Sequence, residues 1–193
     1  MIKENEYVFK IDDYGLRNIC EDDLPLLLEW RNSPRIHSKM FTDHKITPEE
    51  HQAWFKKIQA DPVKKNFVFT YKGQAVGYIG YTVFDKDQNI YSVGSYIGDP
   101  KKCPVNAGLF LEYVCSAYGF TKLKIPKICV EIFADNKKAF EINIALGFNL
   151  DTAEKYYVMK DGEKRLVVRN FVDKEDWEKG RQDFLDLFLG VEE

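Results

Sequence analysis

The chain has 193 residues, of which 45% are hydrophobic and 31% charged, a composition typical of one globular domain spanning residues 1–193. No apolar run approaches the roughly 20 residues of a membrane helix. The opening sequence also lacks the apolar core of a secretory signal, so we expect a cytoplasmic protein. A formal net charge of −3 gives no basic footprint for a nucleic-acid partner.

The cysteines and histidines do not indicate a metal site. None of the four cysteines forms a C-x-x-C pair, and the chain has three histidines, so we expect no metal cofactor. Reduced, buried thiols are the expected state of these cysteines in a cytosolic protein. They are Cys20, Cys103, Cys115 and Cys129.

The first half of the chain predicts two helices and then a meander. Residues 21–30 open with carboxylates that suit a helix N-terminus, and a polar, irregular stretch over 32–46 follows. The segment Thr47-Pro48-Glu49-Glu50 combines a capping hydroxyl, proline at the first helical position and glutamate three residues after the cap, which predicts a helix to about residue 60. Three antiparallel strands are predicted over 66–71, 75–84 and 90–97.

In the second half, helices and strands alternate. Residues 106–120 show a helical apolar period, 128–133 a short strand, and 136–146 a helix that Gly147 ends. An Asp-Gly pair within residues 160–163 predicts a hairpin. The last helix, over 174–189, packs either on the core or on a second subunit, which leaves a homodimer open. Its expected apolar face consists of Trp177, Phe184, Leu185 and Phe188.

This order of elements resembles the GNAT superfamily of N-acetyltransferases. The most specific match is Asp135-Asn136 with Ala139 and then Leu146-Gly147-Phe148, which resembles the family's N-x-x-A and L-G-F signature. The resemblance extends from about residue 15 to residue 177. It implies an α/β GNAT fold, with a mixed central sheet of about seven strands whose fourth and fifth strands splay apart, flanking helices and an extra C-terminal helix.

Within the superfamily, the N-terminal third resembles enzymes of pseudaminic acid synthesis that acetylate a nucleotide-linked 4-amino-4,6-dideoxy sugar. The similar residues are Leu28 to Pro34, Met40-Phe41, His51 and Phe55. The resemblance implies direct transfer from acetyl-CoA in a ternary complex. A related branch that acetylates protein N-termini shares the Trp-Arg-Asn stretch, and a GNAT-fold binding module with impaired catalysis is a third alternative.

The resemblance also implies where acetyl-CoA binds. The pyrophosphate lies on backbone N–H groups where the third long helix begins, with Lys101 and Lys102 beside it. Only Gly108 of the usual Arg/Gln-x-x-Gly-x-Gly/Ala turn is retained and Pro104 removes a donor, so an ordinary strand-to-helix connection also explains this loop. For Tyr96 the alternative is a core aromatic, and for Asn136 a helix cap. The implied cofactor residues are Tyr96, Ile97, Cys103, Val105, Asn106, Ala107, Gly108, Asn136 and Lys138.

Two residues are candidates for catalysis. Glu131 matches a glutamate of the fifth family strand that acts as a base through water, although a surface carboxylate is the alternative. Asn143 stands where relatives carry the tyrosine that protonates the departing thiolate. Because a thiol pKa is about 8.5, departure as thiolate at pH 7 costs only about 2 kcal/mol, so a hydrogen bond from Asn143 or a proton from water suffices.

The expected acceptor-binding residues are Arg31, Met40, Phe41 and His51. The guanidinium fork of Arg31 matches the geometry of a nucleotide diphosphate, although an ion pair with Glu29 or with the C-terminal strands is the alternative. Met40, Phe41 and Trp54 stack on the base or simply pack against the second helix.

Overall fold

The computed structural model describes residues 7–61 and 63–189, and these residues form eight strands and six α-helices. The strands are β1 (Tyr7–Ile11), β2 (Tyr14–Asn18), β3 (Lys65–Tyr71), β4 (Gln74–Asp85), β5 (Ile90–Ile97), β6 (Lys127–Phe133), β7 (Asn149–Lys160) and β8 (Glu163–Asp173). The helices are α1 (Leu24–Asn32), α2 (Pro34–His37), α3 (Pro48–Ala60), α4 (Ala107–Thr121), α5 (Lys137–Ala145) and α6 (Lys174–Leu189). The chain divides into two compact units, residues 7–82 with 94–111 and residues 83–93 with 112–189.

The strands follow the order β1-β2-β3-β4-β5-β6-β8-β7, which confirms the predicted mixed α/β sheet. The sequence predicted about seven strands, and the described chain has eight because β1 and β2 form a hairpin at the N-terminal end. The parallel pairing of β5 with β6 runs from Ile90 and Lys127 to Ser92 and Cys129, whereas β5 continues to Ile97 and β6 to Phe133. The splaying of the family's fourth and fifth strands stays a prediction.

The first unit contains the antiparallel meander of β1, β2, β3 and the start of β4. Tyr14 of β2 lies inside it, stacked between Phe69 of β3 at 5.4 Å and Phe110 of α4 at 4.5 Å. Thr47 accepts a hydrogen bond from the Glu50 N–H and the Glu50 carboxylate accepts one from the Thr47 N–H, which confirms the predicted capping box of α3.

Two apolar clusters hold α1, α2 and α3 in the first unit. Leu24 packs with Phe55 and Ile58, which joins α1 to α3. The second cluster consists of Leu27, Trp30 and Ile36. α2 lies within the stretch that the sequence predicted to be irregular.

The second unit is built around the antiparallel ladders of β6 with β8 and β8 with β7. Asp161 and Gly162 join β7 to β8 with φ values of 53° and 79°, the positive values that a type I′ hairpin turn requires. Trp177 and Phe184 of α6 are buried, and Phe184 stacks on Tyr113 of α4 at 4.1 Å. These two α6 residues therefore pack on the core of the unit; the side chain of Phe188 lies outside the described structure.

Three further predictions concern cysteines, metals and membranes. Cys115 and Cys129 are buried as expected, whereas Cys20 is exposed, and none of the four cysteines forms a disulfide within the described residues. No group of three or more His, Cys, Asp or Glu side chains is arranged to hold a metal within residues 7–61 and 63–189. In the same part of the chain, no helix combines the length and apolar character needed to cross a bilayer.

Candidate active site

A half-buried arginine is the main feature of the helical segment in the first unit. Arg31, in the last turn of α1, donates from Nη2 to Thr42 Oγ1 at 3.0 Å. Its Nη1 is buried and has no hydrogen-bond partner among the described residues, and the alternative ion pair with Glu29 is not formed there. Burial lowers the pKa of Arg31, yet a guanidinium remains charged in proteins. The site therefore contains a positive charge that lacks a counterion within the described chain.

Aromatic rings form a continuous row beside Arg31. The ring centroids of His51 and Trp54 are 4.9 Å apart, those of Trp54 and Tyr78 6.2 Å, and those of Tyr78 and Tyr96 5.2 Å. Burial raises the pKa of both tyrosines well above the ordinary value, with Arg31 opposing the shift. Both phenols are therefore neutral at pH 7, and Tyr78 Oη donates to Asn66 Oδ1 at 2.6 Å.

His51 is a neutral member of this row. Its side chain is buried on α3, and burial followed by the charge of Arg31 lowers its pKa below the ordinary value. An imidazole whose pKa is below 6.5 is neutral at pH 7, where it can donate or accept one hydrogen bond. The structure thus brings together Arg31, His51 and Tyr96, three of the residues that the sequence selected.

Met40 and Phe41 differ in their exposure. Met40 is half-buried and packs on the cluster of Leu27, Trp30 and Ile36 in α1 and α2, rather than against the second predicted helix, α3. Phe41 is 39% exposed and presents apolar surface next to the loop that carries Thr42.

The connection between β5 and α4 was the predicted pyrophosphate turn. Asp99 accepts from the Lys101 N–H at 3.1 Å, and the Ala107 N–H donates to the Pro104 carbonyl at 3.0 Å, which begins α4. Gly108 lies in the first turn of this helix, where amides have no acceptor inside the helix. Val105 is 97% exposed, and the exposed Lys101 and Lys102 flank the turn. These features fit an anionic group, although Ala107 has already used its N–H.

The end of β5 carries contacts that the sequence did not predict. The carbonyl of Ile97, expected to face the pantetheine arm, accepts a hydrogen bond from Arg35 Nη2 at 2.6 Å. The same nitrogen donates to the Gly98 carbonyl at 2.8 Å. Arg35 belongs to α2 and is itself exposed, and nothing in the local sequence indicated that it would bond to the end of β5.

Glu131 lies at the centre of a polar network in the second unit. Its Oε1 accepts from Tyr156 Oη at 2.6 Å, from Arg169 Nε at 3.0 Å and from Arg169 Nη2 at 2.8 Å. Arg169 Nη1 donates to Glu154 Oε2 at 2.5 Å. Burial and the bond to Glu131 raise the pKa of Tyr156 to about 12, so this phenol is neutral at ordinary pH. Glu131 is thus not a plain surface carboxylate, since three elements of the unit fix its position.

The remaining predicted residues of the second unit belong to α5 and its start. Asn136 is the N-cap residue of the helix, as its helix-cap alternative expected, but its side chain makes no capping hydrogen bond. Lys138 is exposed on the first turn. Asn143 is 2% exposed, and its backbone carbonyl accepts from the N–H groups of Leu146 and Phe148.

The sequence matches the family described as Acetyltransferase (GNAT) domain over residues 14–149. The chain is a GNAT acetyltransferase. It is 30% identical over 131 residues to Acetyltransferase PseH of Campylobacter jejuni strain 81-176, which covers 66% of this chain and 79% of that protein. It is 28% identical over 151 residues to PseH of Campylobacter jejuni strain NCTC 11168, covering 74% and 90%.

A solved structure with the same fold is spermidine N-acetyltransferase from Vibrio cholerae in complex with CoA and spermine. Its TM-score is 0.78 at 18% identity, covering 86% of this chain and 98% of that one. These matches confirm the predicted resemblance to the GNAT family and to the pseudaminic-acid-pathway acetyltransferases within it. This GNAT protein is accordingly an acetyl-CoA-dependent N-acetyltransferase.

Proposed function

We propose that this GNAT enzyme transfers the acetyl group of acetyl-CoA directly to the 4-amino group of a nucleotide-linked amino-deoxy sugar. The observation that carries the proposal is the buried Nη1 of Arg31, which has no hydrogen-bond partner among the described residues. A buried charge is costly unless it is paired, so a ligand that supplies negative oxygen atoms would be bound strongly there. A nucleotide diphosphate has this chemistry.

The same charge disfavours a polyamine acceptor. Two like unit charges about 4 Å apart repel by about 4 kcal/mol at an effective dielectric constant of 20. A spermidine-like cation beside Arg31 would therefore lose binding by more than a hundredfold, because every 1.4 kcal/mol is a factor of about ten. The Vibrio cholerae structure, which holds spermine, supports the fold of this chain but not the choice of acceptor.

Aromatic surface near Arg31 supports the nucleotide part of the proposal. The half-buried Trp54 and the 39% exposed Phe41 belong to the same helical segment as Arg31 and His51. Stacking a base on such a ring contributes about 1–3 kcal/mol. Neutral His51 supplies a hydrogen bond without adding a second buried charge.

For acetyl-CoA, we assign the pyrophosphate to the first turn of α4, where Gly108 and Asn106 offer backbone amides and Lys101 and Lys102 add charge. The backbone of Tyr96 and Ile97 and the uncapped side chain of Asn136 are assigned to the acyl-pantetheine arm. Acetyl-CoA supplies the activated acyl carbon; the protein binds and orients it. The remaining proposed contacts come from Cys103, Val105, Ala107 and Lys138.

In the proposed reaction, the neutral amine nitrogen bonds to the acyl carbon while the carbon–sulfur bond breaks. Glu131 takes the amine proton through a water, using Oε2, because Oε1 already accepts three hydrogen bonds. The electron pair of the broken bond leaves with sulfur as a thiolate. The amide of Asn143 can hydrogen-bond this sulfur but cannot protonate it.

Replacing Arg31 with methionine tests the proposed acceptor. Methionine fills a similar volume without a charge, so we expect the KM for a UDP- or dTDP-linked 4-amino-deoxy sugar to rise about thirtyfold or more, the scale of a lost buried charge contact. The KM for acetyl-CoA is expected to change less than about threefold, because Arg31 is not among the residues assigned to acetyl-CoA. Steady-state kinetics with each substrate varied in turn measures both values.

The matched control is Lys57→Ala, which removes a cation from the exposed face of α3 and is expected to leave both Michaelis constants unchanged. Thermal unfolding of the Arg31→Met variant is the check that it is folded. Equal effects of this variant on the two substrates would contradict an anionic acceptor at Arg31.

A further inference from the structure

The backbone at the end of β5 contains a bulge. The N–H groups of two successive residues, Gly98 and Asp99, both donate to the carbonyl of Val76 in β4, at 2.7 and 3.2 Å. In a regular ladder, successive amides point to opposite edges of the strand. Two residues opposite one is the pattern of a β-bulge, and bulges beside active sites redirect the chain that follows.

The bulge turns two carbonyls toward one side chain. The Ile97 and Gly98 carbonyls accept from the single nitrogen Nη2 of Arg35, at 2.6 and 2.8 Å. Carbonyl dipoles that converge repel each other, and a charged donor between them removes this repulsion through charge-assisted hydrogen bonds. Arg35 therefore holds the bulge from outside the sheet, and α2 carries it there.

A second contact fixes Gly98. The indole of Trp30, which is buried on α1, lies against the Cα of Gly98 so closely that a Cβ at this position would overlap the ring. The bulge is thus fixed by Trp30 and Arg35, which lie on either side of the Ser33-Pro34 junction between α1 and α2.

We propose that Arg35 is a positioning residue for acetyl-CoA. It holds the bulge at the end of β5 in place, and it thereby fixes the backbone of Tyr96, Ile97 and the Asp99–Gly108 connection. The bulge directly precedes that connection. The charge of Arg35 also reaches the connection, since it opposes the burial that raises the pKa of Cys103. This inference rests on the proposed placement of acetyl-CoA at β5 and the start of α4, and it does not depend on the acceptor.

The test compares Arg35→Met, which keeps the aliphatic stem but has no donor, with Arg35→Lys, whose ammonium has three donors. In the protein without ligand, the Met variant is expected to speed hydrogen exchange of the Gly98 and Asp99 amides at least tenfold. Calorimetry is expected to show about tenfold weaker acetyl-CoA binding, the scale of one charged hydrogen bond lost. The Lys variant is expected to restore both values to within about threefold, on the same scale.

Kinetics provides a readout that general loss of structure would not produce. In Arg35→Met the KM for acetyl-CoA is expected to rise while the KM for the acceptor and the thermal midpoint stay near those of the parent. An Arg35→Met protein with parental exchange at Gly98 and Asp99, or with parental acetyl-CoA affinity, would overturn the proposal. Parental values in Arg35→Met with lost affinity in Arg35→Lys would overturn it as well.

Discussion

Replacing Gly98 with alanine is expected to destabilise the protein by about 3 kcal/mol or more, at the upper end of the cost of overpacking. The added Cβ would overlap the indole of Trp30, and this ring cannot withdraw because it is packed against Leu27 and Ile36. For a protein of this length, the loss corresponds to a fall of about 6–12 °C in the thermal midpoint. Thermal or denaturant unfolding measures it.

Gly94→Ala, in the strand that ends just before Gly98, is the matched control, because a Cβ at Gly94 meets nothing within 4 Å. It is expected to be neutral or slightly stabilising, since alanine restricts the unfolded chain. Adding Trp30→Leu to Gly98→Ala is expected to recover part of the loss through relief of the overlap. Equal stability of Gly98→Ala and Gly94→Ala would show that Trp30 does not fix the end of β5.

Replacing Glu131 with glutamine is expected to lower turnover by about a hundredfold or more, within the range of 10²–10⁴ that a positioned acid–base group contributes. Glutamine retains the size of the side chain and still accepts a hydrogen bond from Arg169, but it takes no proton at neutral pH. The KM for acetyl-CoA is expected to change little. Steady-state turnover between pH 6 and about 10, the range in which alkylamines lose their proton, measures the effect.

Glu154→Gln is the control for this variant. Glu154 is the other carboxylate partner of Arg169 but is 57% exposed, so its replacement tests the ion pair without touching the proposed base. We expect it to retain turnover within about threefold, as is usual for exposed pairs. Near-parental turnover in Glu131→Gln would remove Glu131 from the mechanism. Burial and the bond to Glu131 raise the pKa of Tyr156 to about 12, so a loss of rate with rising pH that has its midpoint well below 12 and disappears in Tyr156→Phe would contradict the neutral phenol of this network.

Local signals in the sequence predicted most of the helices and the hairpin. The Thr47 capping box and the Asp161-Gly162 turn are complete within a few residues, and each is present in the structure. The β1–β2 hairpin was missed because its strands have five residues each and its turn, Asp12-Asp13, lacks the glycine that usually marks such turns. α2 was missed because four residues are too few to show a period.

The candidate site was less accessible to sequence analysis because its contacts join distant parts of the chain. Arg31 and His51 were selected by resemblance, but the burial of Arg31 beside Tyr78 and Tyr96 depends on how α1 packs on β4 and β5. Glu131 contacts Arg169 because β6 pairs with β8, a strand that does not follow it directly in the sequence. Arg35 reaches carbonyls that are 62 and 63 residues away, a distance that no local pattern predicts.

The most direct test of the proposed acceptor compares three acceptor classes with acetyl-CoA under identical conditions, with free thiol release as the readout. These are a UDP- or dTDP-linked 4-amino-deoxy sugar, spermidine, and a peptide with a free N-terminus. Since repulsion of about 4 kcal/mol at Arg31 opposes a polyamine, the nucleotide sugar is expected to have a kcat/KM at least a hundredfold above that of spermidine. It is also expected to exceed the peptide. Preferred acetylation of spermidine or of the peptide would contradict a nucleotide-sugar acceptor. Acetyl-CoA binding with no turnover of all three acceptors would contradict it as well.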